Sequence, residues 1–458
     1  MYSAEIMKIL QSAKLKVGDR VAVSKSGKET EGLLMPQTGA GDPDTIVIKL
    51  DSGYNIGLKY GKGVTVSKSV HREPREIEDE EEYELGKTKK SLLKLSFDTK
   101  KPAIAIVAAG GTIASRVDYK TGGVYAIEDP AEFLHNVPEL AGIASVSAIE
   151  RPFTKMSEDM EPADWPGIAK AAAKRLNSGD KGIIVTHGTD FLHYTAAALS
   201  FFLRGLTKPV VLVGSQRSSD RGSSDAGMNL ICAAHAATGG IAEVGTCMHA
   251  KSDDDHCMFI RGTHVRKMDT QRRDAFRPIN EYPLAQIWPD GTVKIRNWNH
   301  KKRDDSGKVE LDAAFEPRIA MLKAYPGSDP GVIDYYVSKG CRGFVIEASG
   351  LGHVPTNSRI SWIPAIKRHV KDGIPFVTAA QTVYGRINPD VYTNLRVLYR
   401  EAGAIPGSDM LAEVAYVKLG WVLGHKDAAG SIEKVREMML TNCAGEMTER
   451  TLAGTFLY

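Results

Sequence analysis

Five short, continuous apolar runs constrain this chain more than any other feature: PAIAIVAA (102–109), GIIVTH (182–187), PVVLVG (209–214), GFVIEA (343–348) and PFVTAA (375–380). None alternates apolar with polar residues. Each therefore reads as a strand buried on both faces, the pattern of a parallel sheet covered by helices. Helical stretches lie between them. Over 164–177, Trp165, Ile168, Ala172 and Leu176 mark one face, with Asp164 as a possible cap and Pro166 near the start. The alternation predicts an α/β body with helices on both sides of its sheet. A charged, glycine-punctuated stretch near 300–316 (HKKRDDSGKVELDAAF) divides that body, giving expected units over 101–305 and 306–458.

The residues before this body follow another rhythm. RVAVSK, ETEGLLMP, TIVIKLD, YNIGLKY and VTVSK are short, β-branched and separated by Gly, Asp and Pro turns. They predict a small antiparallel β-barrel, SH3-like, over 1–75. It reads as a packing module, and barrels of this kind bind RNA, protein or a neighbouring domain. The acidic REIEDEEEYE and basic GKTKKSLLK that follow are expected to be a solvated linker over 76–100. At 458 residues the chain exceeds one ordinary domain, and a net charge of +3 neither demands nor excludes a nucleic-acid partner. Five scattered cysteines without a CxxC pair suggest reduced thiols rather than a disulfide framework. The opening MYSAEIMKILQSAK has no apolar core of signal-peptide length, and no long apolar window follows, so a cytoplasmic protein is expected.

Ligands of open α/β sheets bind beyond the carboxyl ends of the strands, so the loops after the strands are the candidates for chemistry. The first carries Gly110-Gly111-Thr112. Neither phosphate-loop pattern is present, and GGT can be a tight turn or a place where backbone N–H groups approach a ligand. The second carries His187-Gly188-Thr189-Asp190, which reads as a helix N-cap or as a hydroxyl and a carboxylate at the same rim. In KMSEDMEPADW, Ser157, Glu158 and Asp159 read as a capping box or as a site for a substrate ammonium. Lys267 in HVRKMDTQRRDAF is a surface cation by default. Packed beside Thr189 and Asp190, it could accept a proton from a threonine hydroxyl, which is otherwise a weak nucleophile. His249, Asp253, Asp254, Asp255, His256 and Cys257 resemble metal ligands on paper, but their spacing fits no zinc or calcium pattern, and no metal is expected.

Two threonines at separate strand ends, in GGTIAS and HGTD, with a lysine in RKMDT, resemble the L-asparaginase family over roughly residues 102–458. EASGLGHVP, YGRINPDVY, AGAIPGSDM and EVAYVKLGW are similar to that family's smaller C-terminal domain. The resemblance implies Thr112 as primary nucleophile, and Thr189, Asp190 and Lys267 as the second threonine and its relay. It implies Ser157 and Glu158 as holders of the substrate's α-amino and α-carboxylate groups. Gly111 and Gly188 would supply oxyanion donors, and Tyr119 or Tyr125 a lid tyrosine, with Gly122-Gly123 as a hinge. No cofactor is implied for this chain.

The N-terminal module and the segments GSQRSSDRGSSDAGMNL and VRKMDTQRRDAF resemble the branch of that family that works in archaeal tRNA-dependent amidotransferases. That branch implies a glutaminase whose ammonia, from glutamine or asparagine, passes to a GatE-like partner subunit. The partner uses ATP and Mg to amidate Glu-tRNA(Gln). It also implies a homodimer within a heterotetramer, with tRNA held mainly by the partner. Two other readings stay open: a stand-alone L-asparaginase, and an inactive RNA- or protein-binding scaffold.

Overall fold

The structure is a computed structural model. It describes residues 2–25, 27–37, 42–50, 55–69, 98, 100–111, 113, 115–117, 124–126, 137, 139–217 and 223–458. Nearly all of the expected linker falls outside this set.

Near the N-terminus, strands Arg20–Lys25, Lys28–Leu34, Thr45–Lys49, Asn55–Lys59 and Val64–Lys68 form one antiparallel sheet. A helix not anticipated from sequence, Ala4–Ser12, begins at a Ser3 cap and buries Ile6 and Leu10. With Tyr2 these side chains join Val21, Val23, Leu34, Ile46 and Ile48 in a separate small core.

The body carries an eight-stranded sheet. Its order is Val293–Ile295, Ala285–Ile287, Cys257–Arg261, Val244–His249, Val210–Val213, Ile183–Thr186, Ala103–Ala108 and Ser145–Glu150. The last five are mutually parallel, and the first three extend the sheet antiparallel. Register decides what meets at the rim. Thr186 is level with Ala108 on one side and Val213 on the other, so the three following loops emerge side by side. Helix Trp165–Asn177 packs on helix Leu192–Phe202, and Ala226–Thr238 packs on the short Leu140–Ile143. The apolar faces of these helices and the strands make one continuous core.

The C-terminal unit is a parallel sheet in the order Ile319–Lys323, Gly343–Ala348, Phe376–Ala380 and Ile405–Pro406. Its helix Ala412–Gly424 packs on both Leu192–Phe202 and the sheet strands, so it joins the two units. All five cysteines are free thiols. Among the described residues no helix is long and apolar enough to cross a membrane.

Candidate active site

The loops after Ala103–Ala108 and Ile183–Thr186 meet backbone to backbone. Gly110 has φ +101° and Gly111 φ +93°, a region closed to most side chains. A Cβ on Gly111 would lie 2.1 Å from Gly188 N, and one on Gly110 2.3 Å from Lys155 O. The glycines therefore serve both torsion and contact. Thr112 lies outside the described residues, as do Tyr119 and Gly122-Gly123. Of Tyr125 only the backbone is described, in strand Val124–Ala126 paired with Ser115–Val117.

The structure brings Lys267 to Thr189 and Asp190. Lys267 Nζ donates to Thr189 Oγ1 over 2.9 Å and to Asp190 Oδ1 over 2.7 Å. The lysine side chain is only 10% exposed, whereas that of Asp190 is 56% exposed. Lys267 ends the strand Val265–Lys267, which pairs with Phe276–Pro278 in a two-stranded ribbon outside the main sheet.

Ser157 and Glu158 sit in a 3-10 turn, Ser157–Asp159, rather than at a helix start. Ser157 is buried, and its Oγ accepts the Asp190 N–H over 3.0 Å, which ties this turn to the HGTD loop. Glu158 is exposed. Two further capping expectations are not realised. Helix Leu192–Phe202 follows Phe191 without a side-chain cap, because the Asp190 carboxylate is turned to Lys267. Asp164 occupies the N-cap position of Trp165–Asn177, but its carboxylate takes Lys155 Nζ at 2.9 and 2.8 Å.

A buried polar layer behind the rim holds these loops. His187 Nδ1 donates to Gly188 O over 2.6 Å. Its Nε2 faces Thr195 Oγ1 at 2.9 Å, and Trp165 Nε1 donates to the same hydroxyl over 3.1 Å. A carbonyl can only accept, so the ring proton belongs on Nδ1 and Thr195 donates to Nε2. Burial pushes the His187 imidazole down to about 4. Burial, helped by the Arg266 and Lys267 cations, pushes His193 down to about 3. The third rim loop was not anticipated in this role. Gly214 abuts Thr189 and His187 O, and Asp225 accepts from the N–H groups of Gln216 and Arg217. Asn229 Nδ2 donates to Gly214 O over 3.0 Å. The only signal in the sequence was the polar run GSQRSSDRGSSDAGMN inside an otherwise apolar pattern.

Among the described residues, no group of three or more His, Cys, Asp or Glu side chains is arranged to hold a metal ion. His249 is buried and bonded through Nδ1 to Asn229 Oδ1 at 2.6 Å, while its Nε2 meets Asp254 at 3.1 Å. His256 Nδ1 instead meets Asp255 at 2.8 Å. The two histidines thus serve separate hydrogen-bond sets.

A mixed α/β body whose glycine-bearing loops meet beside a Thr–Lys–Asp set defines a protein of the asparaginase class. The family described as "Asparaginase, N-terminal" matches residues 103–301, and "Glutaminase/Asparaginase C-terminal domain" matches 318–439. The L-asparaginase structure from Thermococcus kodakarensis superposes with a TM-score of 0.66 at 30% identity, covering 76% of this chain and 100% of its own. L-asparaginase I from Vibrio cholerae gives 0.65 at 28% identity, covering 76% and 99%. The remaining N-terminal unit has its own match, since "GatD N-terminal domain" covers residues 15–68.

Full-length relatives combine all three parts. The glutamyl-tRNA(Gln) amidotransferase GatD of Thermococcus kodakarensis is 48% identical over 97% of both chains. GatD of Pyrococcus furiosus is 46% identical over 99% of both, and GatD of Methanothermobacter thermautotrophicus 42% identical over 99% of both. This chain belongs to the GatD family of glutamyl-tRNA(Gln) amidotransferase subunits.

Proposed function

We propose that this chain is the amidohydrolase of a cytoplasmic, tRNA-dependent amidotransferase, releasing ammonia from glutamine, or from asparagine, for a partner subunit. The observation that carries this reading is Lys267 Nζ within hydrogen-bond reach of both Thr189 Oγ1 and Asp190 Oδ1, in a chain that also bears the extra N-terminal unit.

In the proposed reaction Thr112 Oγ attacks the side-chain amide carbon, forming a C–O bond. The Thr189–Lys267 pair takes up the hydroxyl proton, with Asp190 orienting the lysine. That proton goes to the amide nitrogen as the C–N bond breaks, and ammonia leaves. Water then attacks the acyl-enzyme, yielding glutamate and returning the proton to Thr112. Backbone N–H groups near the Gly111–Gly188 contact stabilise the oxyanion, a contribution of about 2.7–4 kcal/mol per donor in comparable sites. Ser157 and Glu158 hold the α-amino and α-carboxylate groups, and a segment containing Tyr125 covers them. The chain acts as a homodimer and needs no metal or organic cofactor of its own. ATP and Mg serve the GatE-like partner, which amidates Glu-tRNA(Gln).

The test is ammonia release from L-glutamine by the complex, with and without Glu-tRNA(Gln), for the native chain and for Thr112→Ala and Lys267→Leu variants that remain folded. Near-native rates in either variant sink the mechanism. Steady asparagine hydrolysis indifferent to partner and tRNA sinks the amidotransferase role.

A further inference from the structure

Lys267 is carried by three residues of a ribbon that lies outside the main sheet. A proton relay needs its members held to a fraction of an ångström, so this ribbon needs an anchor. The neighbouring residue supplies one. Arg266 Nη1 lies 3.4 Å from Glu413 Oε2. Glu413 belongs to helix Ala412–Gly424 of the C-terminal unit and is 3% exposed.

The same carboxylate reaches the other half of the relay. Glu413 Oε1 lies 3.7 Å from His193 Nε2. His193 stands in the first turn of helix Leu192–Phe202, three residues after Asp190. One buried acid thus touches both segments that must converge for Lys267 to meet Thr189 and Asp190. A buried carboxylate is costly unless something is gained from it. Among the described residues Oε1 has no hydrogen-bond partner, so the group is not explained there as a locally satisfied core residue.

We propose that Glu413 is a positioning residue for the deamidation. Its carboxylate pairs with Arg266 and packs against His193, and through them holds Lys267 Nζ against Thr189 Oγ1. The C-terminal unit thereby sets the geometry of a relay that lies entirely in the other unit. This rests on the amidohydrolase reading above.

The test uses the full chain in its complex, with ammonia release from L-glutamine resolved into kcat and KM. Glu413→Gln keeps the shape and removes the charge. Arg266→Met breaks the same contact from its more exposed side, and so remains available if the first variant fails to fold. Each is expected to lower kcat by about 10- to 100-fold with KM changed by less than about threefold. The double variant is expected to be no worse than Glu413→Gln alone, since Arg266→Met removes a contact that this variant has already lost. Folded single variants with native kcat overturn the brace, as do losses that multiply in the double variant. If instead Lys267→Leu matches the native chain, the amidohydrolase reading itself falls, and the brace with it.

Discussion

Lys267 donates to Thr189 over 2.9 Å across a sequence separation of 78 residues. The contact depends on the sheet register that levels Thr186 with Ala108 and Val213, and on a ribbon that returns to the same rim. In the proposed reaction this lysine helps to carry the threonine proton, which a leucine cannot do. Lys267→Leu is expected to reduce kcat for ammonia release by about 10²- to 10⁴-fold, the range for a positioned acid–base group. Asp190→Asn is expected to cost less, because the carboxylate is half exposed and water can replace part of its orienting effect. Steady-state rates of both folded variants decide the matter, and the reverse order of severity contradicts the geometry.

The Gly111–Gly188 approach makes a stability prediction as well. Gly111→Ala puts a methyl group 2.1 Å from Gly188 N in a backbone conformation with φ +93°. The loops must separate or the torsion must change. The cost is expected to be at least about 2 kcal/mol, together with loss of most activity. Denaturant midpoints and ammonia release measure both. An alanine variant as stable and active as the native chain removes the close approach.

Parts of this molecule were legible in the sequence because one physical signal dominated. The five apolar runs became strands within a residue at each end, since burial on both faces leaves little room for polar side chains. Val244–His249 escaped notice: VGTCMH mixes Gly, Thr and His, and His249 is tolerable there because Asn229 and Asp254 satisfy its two ring nitrogens. Helix Ala4–Ser12 escaped because it is short, nine residues, and buries only Ile6 and Leu10. The strand-end rule put Thr189 and Asp190 at the rim, but only the resemblance to a family joined Lys267 to them, since spacing cannot place residues so far apart. Glu413 gave no signal, because an acid near the start of an apolar helix reads as ordinary helix-end chemistry.

The buried imidazole of His187 predicts a pH dependence of stability. Unfolded, the ring titrates near ~6.5, whereas in the folded chain burial holds it at about 4. Above the unfolded value both states are neutral, and the full stability is present. As pH falls below it, the unfolded chain binds a proton that the folded chain refuses. Stability then declines until the folded value is passed, by about 3 kcal/mol from this group. His193, held down to about 3, adds a decline of the same sign over the same range and slightly below. Unfolding free energies between these limits are expected to fall more steeply for the native chain than for His187→Asn. Parallel slopes would show that His187 takes up its proton in the folded state.

Ser157 and Glu158 are neighbours with opposite exposures, and this separates their effects. Ser157 Oγ already accepts the Asp190 N–H, and under the proposed function its hydroxyl proton is given to a substrate carboxylate. Ser157→Ala therefore removes two interactions. It strands the Asp190 N–H, at about 1–3 kcal/mol of stability, and it withdraws a charge-assisted bond from substrate, raising KM by about 10- to 100-fold. Glu158 is exposed in the turn, so Glu158→Gln is expected to leave the melting temperature unchanged while raising KM through the lost attraction for the α-ammonium. Melting curves and KM values for the two variants form one experiment. A Glu158→Gln variant that melts early, or a Ser157→Ala variant with native KM, shows that this turn supports the fold and does not hold the amino acid.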